Sequence, residues 1–310
     1  MRLKARAPSR IDFSGGWTDV DLTTHEIKGA VLNAAIRQYV EGESRPTSDT
    51  GGKNGYYRAE VYYLSEIPPG AGLGGSSAFR LVQLALMGEE AINSEEKRAA
   101  LADEVYHFER RRMLCGKQDQ YAAALGGINY MEFDGDKVEF KRLDLPSAIL
   151  KSLEEGLVLC YTGKARLSDN VHQQVWGRFG EEKQKPYESR TVTRALRRLS
   201  EIPDEQRTAL QMGELPYFAS LMSENWRNQK MLADCITNSD IELLYQAAMK
   251  HGDALGGKAC GAGGGGCFVF YTDDREKLES ALGAVISELP GAKILPVKFD
   301  YDGLVCEQVS

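Results

Sequence analysis

The sequence lacks any long hydrophobic run. Its most apolar stretches, residues 81–87 and 267–271, fall far short of the roughly 18 apolar residues that a membrane-spanning helix needs. The first residues carry charge but no apolar stretch of about 7 to 15 residues behind it, which argues against a secretory signal. We therefore expect a cytoplasmic protein without a membrane partner.

The sequence also lacks the patterns of metal-binding and disulfide-linked proteins. Its six cysteines are scattered without a C-x-x-C pair, and its four histidines show no H-E-x-x-H spacing. Neither a zinc ribbon nor a disulfide framework is predicted, and the cysteines are expected to be buried, reduced thiols. Basic charge is scarce as well, since 38 Lys and Arg face 45 Asp and Glu. A net charge of −7 argues against a nucleic-acid partner.

Glycine, by contrast, is abundant and clustered. The 32 glycines of this 310-residue chain concentrate at residues 15–16, 70–75, 126–127 and 256–266. Such clusters are typical of tight turns and of backbone that approaches a ligand closely. The length suits two domains, and we predict an N-terminal domain over residues 1–150 and a C-terminal domain over residues 151–310.

The periodicity of apolar residues predicts an α+β fold. Residues 166–250 are mostly helical in pattern, and residues 30–40 are either extended or helical. The end of the chain suggests an antiparallel sheet with helices on one face, to which its last three predicted strands belong. The predicted helices cover residues 76–92, 95–114, 118–125, 241–255 and 276–288, and the predicted strands cover residues 2–13, 56–64, 128–133, 137–143, 157–161, 267–271, 292–299 and 304–309.

One glycine cluster leads directly into a helix. Residues 67–78 read IPPGAGLGGSSA, and the N–H groups of such a loop, together with the positive end of the helix dipole, bind phosphate. Gly70, Gly72 and Gly75 also fit the G-x-G-x-x-G of dinucleotide-binding folds, but no acidic residue follows at the end of a next strand. Residues 252–258 approximate a P-loop, yet Ala259 stands where that loop has Ser or Thr.

Three motifs resemble those of the GHMP small-molecule kinases, the superfamily of galactokinase, homoserine kinase and mevalonate kinase. PPGAGLGGSSA (residues 68–78) resembles the central motif, APSRIDFSGGWTD (7–19) the first and KACGAGGGGCF (258–268) the third. The resemblance implies a two-domain GHMP kinase fold, with a ribosomal-protein-S5-like N-terminal domain and a ferredoxin-like C-terminal domain. It also implies a sugar kinase that uses ATP and Mg²⁺.

The resemblance assigns roles to individual residues of the catalytic set. Family members hold Mg²⁺ between a serine and a glutamate, which correspond to Ser76 and Glu109. Asp119, in a stretch similar to the G-x-x-D-Q of the sugar kinases, corresponds to the group that accepts the proton of the substrate hydroxyl. Arg10 corresponds to a cation beside that hydroxyl. Without the resemblance, each residue also fits a structural role: Glu109 that of a surface charge, Asp119 that of a helix N-cap and Arg10 that of an exposed residue at the end of a strand. The residues assigned to the nucleotide are Gly70, Gly72, Leu73, Gly74, Gly75, Ser76 and Ser77.

The acceptor is expected to be a sugar that is phosphorylated on its anomeric hydroxyl. Two branches of the family are similar here, the D-glycero-D-manno-heptose 7-phosphate kinases and the fucokinases, and we favour the heptose branch. A sugar phosphate would need a basic pocket, for which Arg58, Lys164 and Arg166 are candidates. The residues assigned to the substrate are Asp19, Trp17, Arg10, Gly263 and Gly264.

Two positions depart from the family's pattern. Gly75 replaces a serine of the central motif, and Arg80 stands where small or apolar residues are common, so that it faces either solvent or a ligand phosphate. A non-catalytic sugar-binding relative and a kinase of a non-sugar alcohol are the alternatives. The expected partner is a small-molecule sugar or sugar phosphate, and the oligomeric state, including a homo-oligomer, stays open.

Overall fold

The structure, a computed structural model, describes residues 2–46, 59–88, 92, 94–165 and 168–309. Within these residues the chain forms two antiparallel sheets with helices packed against them. None of the helices described there is long and apolar enough to cross a membrane. The strands are β1 (Arg2–Ser14), β2 (Gly29–Pro46), β3 (Ala59–Ser65), β4 (Ile128–Asp134), β5 (Lys137–Arg142), β6 (Leu157–Thr162), β7 (Gly256–Ala259), β8 (Cys267–Tyr271), β9 (Ala292–Leu295) and β10 (Val305–Val309).

The first sheet has the strand order β10-β1-β2-β4-β5, and β3 pairs with the distal half of β2. Residues 30–40, whose pattern left strand and helix open, are part of the long strand β2. This segment reads AVLNAAIRQYV. Residues 30–36 are all buried, and residues 32–34 lie between β1 and β4, a position that favours a nearly continuous apolar run.

The last strand corrects one expectation. The sequence placed residues 304–309 in the C-terminal sheet, whereas β10 pairs with the first residues of β1, from Arg2↔Val309 to Arg6↔Val305. Burial explains the placement, because Leu304 and Cys306 lie in the core beneath the first sheet. The end of the chain therefore completes the N-terminal sheet. The boundary near residue 150 stays a prediction.

The second sheet has the strand order β7-β8-β6-β9, and all of its pairings are antiparallel. With its helical connections, this is the order of a ferredoxin-like β-α-β-β-α-β unit. The two faces of β6 are buried in two different hydrophobic cores. Leu157 and Leu159 join the core under the first sheet, and Val158 and Cys160 join a second core. This alternation explains why the strand is apolar at successive positions from Leu157 to Cys160.

The helices nearest to the site start close to their predicted limits, but the helix predicted over residues 76–92 already ends at Met87, with Gly88 as its C-cap. The helix predicted over residues 95–114 also ends early, at Glu109, and continues as a turn in which Arg112 N–H donates to the Glu109 carbonyl. The helices are α1 (Asp21–Thr24), α2 (Gly75–Met87), α3 (Glu95–Glu109), α4 (Gln118–Leu125), α5 (Ser147–Gly156), α6 (Ser168–Glu182), α7 (Thr191–Met212), α8 (Leu215–Lys230), α9 (Ser239–His251) and α10 (Arg275–Ile286).

Candidate active site

A cavity of about 510 Å³ lies where the predicted motifs converge. Its walls come from the glycine loop of residues 67–75, the first turn of α2, the end of α3, the start of α4 and the turn after β1. Gly261 and Ala262 of the third motif close it from the second sheet. The residues assigned from sequence that line it are Arg10, Trp17, Asp19, Gly70, Gly72, Leu73, Gly74, Gly75, Ser76, Ser77, Glu109 and Asp119.

The glycine loop passes into α2 through left-handed backbone. Gly74 caps the helix at φ 73°, where a side chain would be strained, and a Cβ there would lie 3.3 Å from Asp119 Cγ. The loop is held from both sides, since Arg10 N–H donates to the Leu73 carbonyl and Cys267 N–H donates to the Ala71 carbonyl. The N-terminus of α2 thus faces the cavity on a fixed loop, which suits it to binding phosphate.

Arg10 and Asp119 form an ion pair at the floor of the cavity. The Arg10 guanidinium contacts Asp119 Oδ1 through two nitrogens, at 2.9 and 2.6 Å, and also donates to the Gly72 carbonyl at 2.6 Å. The Arg10 side chain is almost fully buried, and the Asp119 side chain is 27% exposed. Burial lowers the pKa of Arg10, but the carboxylates of Asp119 and Asp12 more than offset it, so the guanidinium stays charged.

Two hydrogen bonds hold the Glu109 carboxylate in place. Its Oε2 accepts hydrogen bonds from Ser77 Oγ at 3.0 Å and from Gln120 Nε2 at 2.6 Å. Burial raises the pKa of this carboxyl, and the nearby Asp119 adds to the effect. Ser77, which the sequence assigned to the nucleotide, therefore orients Glu109, while Ser76 is exposed toward the cavity. Sequence reasoning missed Gln120, although it follows Asp119 directly.

The oxygens of Ser76 and Glu109 fit the Mg²⁺ that the resemblance implies. Mg²⁺ prefers oxygen ligands and binds through one or two carboxylates together with substrate phosphates. A carboxylate that is fixed on one oxygen and disfavoured in its charged form by burial gains from a bound cation. Among the described residues, no cluster of three or more His, Cys, Asp and Glu side chains forms a metal site that needs no other ligands.

Asp19 lies on the wall of the cavity beside the start of α4. Its Oδ2 accepts a hydrogen bond from Gln118 N–H at 3.1 Å. Burial raises its pKa from the ordinary 3.8 to about 6, although the bond from Gln118 opposes the rise. Gly116 leaves room for it, since a Cβ at that position would lie 1.9 Å from Asp19 Oδ2. The isolated bridge between Val20 and Gly116 holds the two loops together.

Trp17 adds an aromatic wall next to Asp19. Its ring packs against His172 of α6, with ring centroids 4.6 Å apart, and against Trp176 at 5.8 Å. Its backbone has a φ of 80°, an uncommon conformation for a bulky residue and one that is found at functional sites. His172 also lines the cavity. The sequence gave no signal for it, because 155 residues separate it from Trp17.

The remaining assigned residues lie elsewhere. Gly263 and Gly264 do not line the cavity but pack on Ile236, to whose carbonyl Gly264 N–H donates. Their assignment to the substrate therefore gains no support from the geometry. Lys164 pairs with Asp240. Arg80 does not line the cavity either, and stacks on Phe108 at 4.7 Å. Two further candidates for a phosphate pocket, Arg58 and Arg166, lie outside the described residues.

Part of the cavity lining is apolar. This part includes Val40, Ile67, Pro68, Phe79 and Met113. Met113, in the turn after α3, is 39% exposed although its side chain is apolar. A flat heteroaromatic ring would cover this surface, while the adjoining glycine loop would hold the attached phosphates.

A second ion pair lies beneath the cavity floor. Lys258 Nζ is 2.7 Å from Asp12 Oδ1, and neither side chain has any exposed surface. Lys258 belongs to β7 in the second sheet and Asp12 to β1 in the first. The sequence named both residues as parts of motifs but did not predict that they pair, since 246 positions separate them.

Two family models match the chain in the order that the fold requires. GHMP kinases N terminal domain matches residues 35–127, and GHMP kinases C terminal matches residues 206–291. Together they span more than half of the chain, and the protein is an ATP-dependent phosphotransferase. It belongs to the GHMP kinase family and has that family's two-domain fold.

Curated relatives and solved structures agree with this placement. A D-glycero-alpha-D-manno-heptose 7-phosphate kinase of Campylobacter jejuni is 27% identical, over 89% of this chain and 91% of its own. A bifunctional fucokinase/GDP-fucose pyrophosphorylase of Arabidopsis thaliana is 26% identical, over 89% of this chain but 30% of its own. A D-glycero-D-manno-heptose 1-phosphate kinase of Bacteroides thetaiotaomicron shares the fold, with a TM-score of 0.72 at 21% identity and 99% coverage of each chain. The galactokinase of Lactococcus lactis, solved with galactose, has a TM-score of 0.76 at 18% identity, over 98% of this chain and 95% of its own.

Proposed function

We propose that this protein transfers the γ-phosphoryl group of ATP to the anomeric hydroxyl of a sugar, with D-glycero-D-manno-heptose 7-phosphate as its substrate. The observation that carries the proposal is the position of the Arg10–Asp119 pair. It lies in one cavity with the glycine loop on one side and Asp19 and Trp17 on the other. Phosphoryl transfer needs such an arrangement, in which a nucleotide and an acceptor hydroxyl meet at a charged pair.

Each polar residue of the cavity has its own role in the proposed reaction. Asp119 accepts the proton of the attacking hydroxyl, and the guanidinium of Arg10 stabilises the negative charge that develops between the two substrates. Asp19 is a hydrogen-bond acceptor when ionised, so it holds hydroxyl groups of the sugar while Trp17 packs on an apolar face. Ser76 and Glu109 hold Mg²⁺, which neutralises phosphate charge when it is bound.

The apolar part of the lining fits the adenine base. Ile67 and Phe79 lie beside the glycine loop, so a base that packs there places its phosphates at the start of α2. Sugar and γ-phosphate then meet above Asp119.

The choice of a heptose phosphate is supported by the relative from Campylobacter jejuni, which matches along nearly the whole of both chains. L-Fucose is the alternative, supported by the likeness to the plant fucokinase. Among the described lining residues, Arg10 is the cation, and it already contacts Asp119. The described lining therefore contributes no separate cation to a site for the sugar phosphate. A cytoplasmic location and the absence of nucleic-acid and membrane partners stay predictions.

The test is ATP-dependent phosphorylation of a panel of sugars, namely D-glycero-D-manno-heptose 7-phosphate, L-fucose, D-galactose and D-mannose. Phosphorus NMR of the product should show a new phosphate that is coupled to the anomeric proton. Asp119→Asn should abolish turnover, whereas the control Asp136→Asn, at a side chain that is 80% exposed, should retain it. Turnover of fucose alone selects the alternative substrate. Tight sugar binding without turnover supports a non-catalytic receptor and contradicts the proposal.

A further inference from the structure

The fully buried pair of Lys258 and Asp12 has no role in the chemistry described so far. The Lys258 ammonium donates to Asp12 Oδ1 at 2.7 Å and to the Asp12 carbonyl oxygen at 2.9 Å. Neither residue is among those that line the cavity, so neither contacts nucleotide or sugar. Replacing a buried ion pair with apolar side chains is often neutral or stabilising, so stability is a weak reason for this one.

The position of Asp12 suggests another reason. Asp12 follows Arg10 by two residues in a regular stretch of β1, where Arg10 pairs with Ala35 and Asp12 with Asn33. Side chains two residues apart on a strand point to the same face, so Arg10 has carboxylates on both sides, Asp12 behind it and Asp119 in the cavity. Both carboxylates favour the charged guanidinium.

Of these two carboxylates, only one accepts a described hydrogen bond from the Arg10 guanidinium. It donates to Asp119, while Asp12 binds Lys258 and its Oδ2 has no hydrogen-bond partner in the described part of the chain. A buried carboxylate that is left without its cation attracts the nearest positive charge strongly, because the surroundings screen poorly. With Lys258 removed, Arg10 is the cation that Asp12 would draw, because the two already interact electrostatically.

We propose that Lys258 is a positioning residue for phosphoryl transfer, which engages Asp12 so that Arg10 stays turned toward Asp119. The inference rests on the roles given above to Arg10 and Asp119. It also assigns a function to the third motif beyond its glycines. Lys258 comes from the second sheet, so the geometry of the Arg10–Asp119 pair depends on how the two sheets are packed together.

The first test measures kinetics on three variants. Lys258→Met removes the ammonium, and Lys258→Met/Asp12→Asn removes both charges of the pair. Asp300→Ala is the control, since it removes a buried carboxylate outside the cavity that accepts hydrogen bonds from the Tyr39 hydroxyl and the Gly303 N–H. The rate is divided by the concentration of functional nucleotide sites, which is measured by titration with ADP below the unfolding temperature of each variant. Unfolded protein then does not affect the kcat that is compared.

We expect Lys258→Met to lower kcat per site by about 10- to 100-fold, the effect of misplacing a catalytic group by roughly 1 Å. The KM for ATP should change by less than about threefold, because no nucleotide contact is lost. Adding Asp12→Asn should restore most of kcat, since nothing then draws Arg10 away. A Lys258→Met variant with the kcat per site of the Asp300→Ala control, or a double variant no faster than the single one, overturns the proposal.

The second test needs no sugar. A crystal structure of the Lys258→Met variant should have Arg10 turned to Asp12, with the 2.6 Å contact to Asp119 lost, and the double variant should regain that contact. If Arg10 still contacts Asp119 in the single variant, the positioning role is wrong. Failure of the wild-type protein to phosphorylate any sugar of the panel contradicts the proposed function instead, and the crystal structure decides on Lys258 in that case as well.

Discussion

The Asp19→Asn substitution should make the protein more stable and less active at neutral pH. In the folded protein burial raises the pKa of Asp19 from 3.8 to about 6. Its contribution to the free energy of unfolding is therefore fully present below pH 3.8, falls as the pH rises, and is lost above pH 6. At 1.36 kcal/mol per pKa unit, ionisation of Asp19 makes the free energy of unfolding at pH 7.5 lower by up to about 3 kcal/mol than it is below pH 3.8.

Asparagine removes this loss without changing the shape of the side chain. It keeps an oxygen that accepts the hydrogen bond from Gln118 N–H, and it fits the space beside Gly116. We expect Asp19→Asn to raise the free energy of unfolding at pH 7.5 by about 1–3 kcal/mol. The advantage should shrink to about 0.5 kcal/mol at pH 4. The KM for the sugar should rise, because a carboxylate that accepts from hydroxyl groups is replaced by an amide.

The assay is urea denaturation of ligand-free wild type and variant between pH 4 and pH 8. The control is Asp136→Asn, whose carboxylate is 80% exposed and should give a constant difference across the range. An Asp19→Asn variant that is no more stable than wild type at pH 7.5 refutes the reasoning. So does an advantage that persists unchanged at pH 4, because it would not come from the ionisation of Asp19.

Three further predictions test the walls of the cavity. Gly116→Ala places a Cβ 1.9 Å from Asp19 Oδ2, so sugar binding should weaken while ADP binding, measured by calorimetry, stays within about threefold of wild type. Ser77→Ala frees Glu109 from one of its two hydrogen bonds and should weaken Mn²⁺ binding, read by electron paramagnetic resonance, by about tenfold, whereas an unchanged affinity would exclude the orienting role of Ser77. Gly74→Ala forces a side chain into backbone at φ 73° and should lower the free energy of unfolding by about 1–2 kcal/mol, a loss that denaturation with urea would measure.

The parts of the site that could be predicted from sequence are those set by local pattern. Glu109 and Asp119 were expected on two successive helices, over residues 95–114 and 118–125, and α3 and α4 confirm that both lie on helices. The glycine loop was expected to lead into a helix, and α2 confirms it. In each case the signal lies within about 20 residues of the side chain concerned, where periodicity and capping residues govern the structure.

The parts that sequence did not reveal depend on long-range packing. Nothing near His172 indicates that its ring will meet Trp17, and nothing near Lys258 indicates that its charge will be buried against Asp12. The misplaced strand has the same origin. Residues 304–309 have an ordinary strand pattern, which predicts a strand but not the sheet that it joins.

The pairing of β10 with β1 has a consequence for the newly made chain. Arg6 leaves the ribosome long before its partner Val305, and at about 5–20 residues per second the interval is roughly 15–60 s. Throughout that time the outer edge of β1 lacks the strand that covers it in the finished protein, and open strand edges are sites of aggregation. This edge is therefore expected to be open during synthesis, and faster translation of the second half of the message should shorten that interval and improve the yield of folded protein.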